Sequence, residues 1–149
     1  MSVNTVPQER IAAPAKVWQT GLLAAVIASV ANVVVYLIAS ALGIEFNITP
    51  PDVPAPPFVL VVIFATTIGI LLGTFVFTLM PRFSQRPIST FRIVAIVALV
   101  LSFAQPFMLT TGMIPTSEPV AISTVLTLEV MHVIAGAVVI YLLTTRARA

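Results

Sequence analysis

Apolar residues come in four long continuous runs, and the polar residues gather between them. The runs cover about 17–44, 58–80, 91–113 and 120–143. Each approaches or exceeds the ~20 residues that an α-helix needs to cross the hydrocarbon core of a bilayer. None alternates with a period of two, so a β-barrel is not expected. The pattern predicts an all-α fold, an integral membrane four-helix bundle. Its connections are short. Pro50–Pro57 (PPDVPAPP) is too rich in proline to continue a helix. PRFSQRPIST and IPTSEP make the other two links. Short links between consecutive helices favour up-down-up-down order.

Charge orients the bundle. All seven Lys and Arg residues, namely Arg10, Lys16, Arg82, Arg86, Arg92, Arg146 and Arg148, fall on one side of the expected bundle. The first and third links carry Glu45, Asp52 and Glu118 and no basic residue. The positive-inside rule then puts residues 1–16, the second link and the basic tail 144–149 in the cytoplasm. Both termini of a bacterial plasma-membrane protein are expected there. Trp18 and Tyr141 sit near the same ends of their spans, where amphipathic rings settle. The first run exceeds the core of a signal peptide, so it is read as retained.

Composition changes the picture only in what it excludes. Of 149 residues, 59% are hydrophobic and 8% charged, and the mean hydropathy is +1.13. A water-facing domain carries roughly a quarter charged residues, so the lipid bilayer is the expected partner surface. The sequence pI of 9.7 reflects a net charge of only +2 and does not point to nucleic acid. With no cysteine and one histidine, thiolate redox chemistry and bis-His haem ligation within one chain are ruled out.

The candidate chemistry lies in LTLEVMHVIAG of the fourth run. Glu129, His132 and Gly136 fall three and four residues apart and so share a helical face. Counting 1.5 Å per residue puts Glu129 ~13 Å and His132 ~18 Å below the outer end of their span. On the same count Asn32, Thr66 and Gln105 reach a similar level on the other three spans. A charged side chain at mid-membrane costs at least ~2.5 kcal/mol, so the face should point into the bundle. Three readings compete. The layer is a hydrogen-bonded register lock, or a ligand or proton site on Glu129 and His132, or an axial His132 site for a pigment. Glu-x-x-His also occurs in di-metal bundles, but those take carboxylates from other helices. Here no other span holds one, so no metal or cofactor is expected. Neither a catalytic triad nor a phosphate loop is present, and the protein is not expected to be an enzyme. It reads as an accessory bundle or one that binds a small apolar ligand. A proton-coupled carrier or relay using Glu129 is the alternative.

Small residues set the expected helix contacts. Ala65, Gly69 and Gly73 on the second span, Gly21, Ala25 and Ser29 on the first, and Gly136 on the fourth let backbones approach. Internal packing is one reading, and a homodimer or partner-subunit seam the other. Gln105-Pro106 predicts a kink in the third span, because Pro106 leaves the Ser102 carbonyl without its donor.

Val17-Trp18-Gln19, Ala31-Asn32 and the Glu-x-x-His of LEVMHVIAG together resemble DUF6069, a family of small uncharacterised bacterial four-span membrane proteins. The likeness runs from Trp18 to Tyr141. It implies a location and a fold, and brings no activity with it.

Overall fold

A computed structural model describes residues 9–50, 53–111, 113, 116 and 120–149. Asp52 and Glu118, the acids of the first and third links expected on the outer side, lie outside them. The described residues form α1 (Pro14–Ala41), α2 (Phe58–Phe83), α3 (Pro87–Ser102), α4 (Ala104–Met108) and α5 (Ile122–Arg146). With α3 and α4 taken together, four helical segments are long and apolar enough to cross a membrane. Their outward surfaces carry large apolar side chains, such as Val26 at 62% and Phe64 at 64% exposure. Such a surface suits lipid, and the chain is a membrane-embedded helical protein.

Local chemistry sets the ends. Pro14 and Pro87 open α1 and α3, where a missing N–H is no loss. α1 stops at Ala41, short of the expected Ile44, because Gly43 turns left-handed at φ 82° and the Ile44 amide folds back to the Ala39 carbonyl at 3.0 Å. Pro81 does not close α2. The helix runs on to Phe83, and the Ser84 amide bonds the Met80 carbonyl at 3.0 Å. The third run breaks at Phe103, between α3 and α4. The freed end of α3 is partly satisfied by Ser102, whose hydroxyl donates to the Leu99 carbonyl at 2.7 Å.

α1 packs against α2 and α5, and α3 packs against the same two helices from the other side. α1 and α3 do not touch. The apolar core lies toward the arginine-bearing end, where Val17, Phe77, Ile88, Phe91, Leu142 and Leu143 are buried together. The Phe77 and Phe91 rings meet edge-on at 4.9 Å. At the opposite end, Tyr36, Phe46 and Phe58 form a small aromatic cluster. There the Thr124 hydroxyl donates to the Glu45 carbonyl at 2.7 Å, tying α5 to the turn after α1.

The small-residue stripes divide. On α1, Gly21, Ala24, Ala25, Ala28 and Ser29 are buried. A Cβ on Gly21 would overlap the buried Thr74 side chain of α2. The stripe on α2 is different. Ala65 and Gly69 are exposed, and a Cβ on Gly69 would meet nothing within 4 Å. A Cβ on Gly73 would meet only the Val139 side chain, at 3.6 Å. Internal packing thus accounts for the α1 stripe and not for Gly69, which lies exposed on the flank of α2 beside the buried Thr66.

Candidate functional site

Asn32 is the centre of one polar cluster. It is 2% exposed. Its amide nitrogen donates to the Thr66 hydroxyl at 3.0 Å and to the Met131 carbonyl at 3.2 Å. One side chain therefore ties α1, α2 and α5 at one level. One turn away Ser29 and Thr67 add a hydroxyl pair at 3.3 Å. Small residues on α1 allow this closeness, since Ala28 and Ser29 keep the backbones near enough for short polar side chains to meet. The Asn32 carbonyl oxygen is buried without a donor.

Glu129 belongs to a different seam. Met131 turns its backbone toward α1, whereas Gly136 turns toward α3, with Leu99 Cδ2 2.9 Å from where its Cβ would stand. Glu129 and Gly136 are seven residues apart, two helical turns on one face. The acid therefore looks toward α3 and α4, which α1 does not reach. Both its carboxyl oxygens are buried, and no hydrogen-bond donor among the described residues meets either. His132, one turn along, is half-buried. Its Nδ1 lies 2.8 Å from the Leu128 carbonyl. A carbonyl only accepts, so Nδ1 carries the hydrogen, and a ring with that single hydrogen has Nε2 as its acceptor.

The expected single layer is therefore two. Asn32 and Thr66 come together; Glu129 and His132 lie on the α3 side. Gln105 joins neither. It is exposed, while its neighbour Pro106 is the buried residue of α4. The break at Phe103 restarts the helix, and adjacent residues then point ~100° apart, so that burying Pro106 turns Gln105 outward. Among the described residues no three His, Cys, Asp or Glu side chains gather where a metal could bind.

One functional-looking contact had no sequence signal pointing to it. Glu9, in the tail before α1, accepts from the Ile88 and Ser89 amides at 3.0 Å each and from the Ser89 hydroxyl at 2.6 Å. It caps the first turn of α3, where helix amides favour an anion. The Ser89 hydroxyl, then the Ser89 amide, and more weakly the Ile88 amide and Arg148, hold the Glu9 carboxyl below its ordinary range, against some desolvation. The tail is also tied to the end of α5. The Ala12 amide donates to the Ala147 carbonyl at 2.9 Å, and the Ala149 amide to the Arg10 carbonyl at 3.2 Å. Pro87 with Ser89 marks a helix start that wants an acceptor, but nothing local names one 79 residues earlier in the chain.

No curated protein and no solved structure matches this chain. A family model does match, over residues 12–149, from the strand-like tail contact at Ala12 through the Asn32 cluster and the Glu129 face to the end of α5. The chain belongs to that family, the family of unknown function DUF6069.

Proposed function

We propose that this chain is a non-enzymatic, multi-pass protein of a bacterial plasma membrane, an up-down-up-down bundle with both termini cytoplasmic, in which Glu129 and His132 form a proton-binding site. The carrying observation is the Glu129 carboxyl, whose two buried oxygens meet no donor among the described residues. A register lock works through paired polar groups, and the Asn32 amide nitrogen already supplies two such contacts. An unpaired carboxylate in a lipid-surrounded interior is expensive. The neutral acid is the form that this surrounding tolerates, and His132 Nε2 offers a second acceptor one turn away. A movement that admits water or a donor-bearing molecule to Glu129 would exchange its proton, which is the elementary step of a proton relay or a proton-coupled carrier. The topology half of the proposal rests on the arginines and on contacts that gather residues 9–12, the start of α3 and the end of α5 at one end.

Infrared spectroscopy of the reconstituted protein tests the site. A protonated-carboxyl band that is lost in Glu129→Gln and fades as pH rises is the expected result. A band that never titrates, or one that Glu129→Gln leaves intact, overturns the reading.

The exposed Ala65 and Gly69 favour a second reading, an accessory subunit that meets a homodimer mate or another membrane protein along α2. Small outward residues let a second helix approach closely. Crosslinking through Gly69→Cys in membranes would yield a discrete dimer or heteromer; random crosslinks would end this reading. Binding of a small apolar ligand would use the same unpaired acid, with the ligand supplying the donor.

A further inference from the structure

The tail before α1 and the turn between α2 and α3 border an open cavity of about 550 Å³ at the arginine-bearing end of the bundle. Arg10 lines it from the tail, and Arg82, Phe83, Ser84 and Gln85 line it from the end of α2 and the turn. We propose that this cavity binds a phosphodiester anion, the headgroup chemistry of the lipids that surround the protein, with Arg10 and Arg82 as its ligands.

Four observations carry this. The walls are built from fixed parts. Glu9 pins the tail to α3 by three hydrogen bonds, and the Ala12–Ala147 and Arg10–Ala149 backbone contacts pin it to the end of α5. Among the described residues no hydrogen bond or ion pair engages either guanidinium, while the Glu9 carboxylate, which lines the same cavity, is already occupied by Ile88 and Ser89. Guanidinium is the side-chain group best shaped to take two oxygens of one phosphate. Finally, the cavity lies where α2 leaves the apolar segment, and Phe83 stands 77% exposed at its edge. A lipid can keep its tails along the bare flank of α2 while its phosphate reaches the arginines. Basic pockets between helix ends on the positive side of a membrane suit this chemistry.

Glu9 makes the proposal separable from general surface attraction. Glu9→Ala removes a negative charge, so simple electrostatics predicts tighter binding of an anionic lipid. The cavity predicts weaker binding, because Arg10 loses its anchored tail. The full-length protein in detergent is titrated with dioleoyl-phosphatidylglycerol and followed by native mass spectrometry. Arg10→Gln and Arg82→Gln are each expected to weaken binding roughly fivefold, Glu9→Ala to weaken it, and Arg146→Gln, outside the cavity, to leave it unchanged. Arg10→Lys with Arg82→Lys should restore part of the affinity, which guards against a folding defect. Tighter binding in Glu9→Ala, or an equal loss in Arg146→Gln, overturns the cavity. Glycerophosphoglycerol, the same phosphodiester without the acyl chains, supplies the second arm. If it displaces the lipid at similar concentration, the site is supported as one for soluble phosphate esters; if it does not, the site is supported as one for lipid.

Discussion

The seam between α1 and α2 and the seam between α3 and α5 are built differently. In the first, Gly21 lies hard against Thr74, a fully buried β-branched side chain whose hydroxyl is fixed to the Ile70 carbonyl at 2.8 Å. Ala24, Ala25 and Ala28 continue it, and Asn32 closes it with two hydrogen bonds. In the second, Gly136 meets only the flexible tip of Leu99, and Glu129 finds no partner. Burial follows the same division: 28% of the residues in the most apolar stretch of α1 are buried, against 17% for α3–α4. The buried residues of α3 are Pro87, Ile88 and Phe91, all at its arginine-bearing end. A bundle can thus hold one seam shut by packing and polar contacts while leaving a broken, peripheral helix beside the buried acid Glu129. Low burial and a helix break mark the element that moves at least cost, which is where the proposed proton site would need its gate.

Glycine substitutions test the packing half of that contrast most strongly. Gly21→Leu drives a side chain into Thr74, which has no room to yield, and should destabilise the bundle by about 3 kcal/mol. Gly136→Ala only displaces a leucine tip and should cost well under about 1 kcal/mol. Unfolding in mixed micelles measures both, and equal losses would mean that the two seams are equally tight.

The polar residues should then respond with opposite signs. Asn32→Leu removes two interhelical hydrogen bonds and leaves the Thr66 hydroxyl unmet; a loss of about 1–3 kcal/mol is expected. Glu129→Leu removes a buried carboxyl that nothing satisfies, and should be neutral or stabilising by about 1 kcal/mol. If the leucine at position 129 destabilises as much as that at 32, Glu129 is part of the lock and the contrast collapses.

A smaller effect sharpens the surface half. Gly69→Ala adds a methyl group to open space and should shift monomer stability by less than about 0.5 kcal/mol. A clear change in the oligomer, with monomer stability intact, would put the outward α2 stripe in an interface.

The smallest effect is local and depends on pH. Glu9 has a folded-state pKa held below its unfolded value, so its contribution is fully present above the unfolded pKa and is lost as pH falls through the folded one. Acidification should release residues 9–12 from the start of α3 before the spans unfold. A spin label at Arg10 would gain mobility in acid, and Glu9→Gln should be mobile already at neutral pH. No change for either protein would show that the cap contributes nothing.

Much of this could be read along the chain. The four apolar runs survive as four segments able to span a membrane, and the helix ends moved by a few residues at Gly43, Pro81 and Pro87. The spacing of Glu129, His132 and Gly136 does place them on one face. Counting residues also gave the correct level for Asn32 and Thr66, which do meet. It failed for Gln105, because depth along a helix says nothing of direction around it, and the break at Phe103 resets that direction.

The sequence by itself determined what depends on composition and local geometry: apolar runs long enough for a bilayer, arginines gathered at alternate links, and one acid with one histidine three residues on. Each follows from the transfer of side chains to lipid or from the pitch of a single helix. Only the tertiary structure decided which helix each face meets. Between helices in lipid there is no strong hydrophobic drive to choose neighbours; fit between small residues and a few hydrogen bonds chooses them. That choice put Asn32 against α2 and α5, turned Glu129 toward α3, and brought Glu9 to Ser89 across the length of two spans.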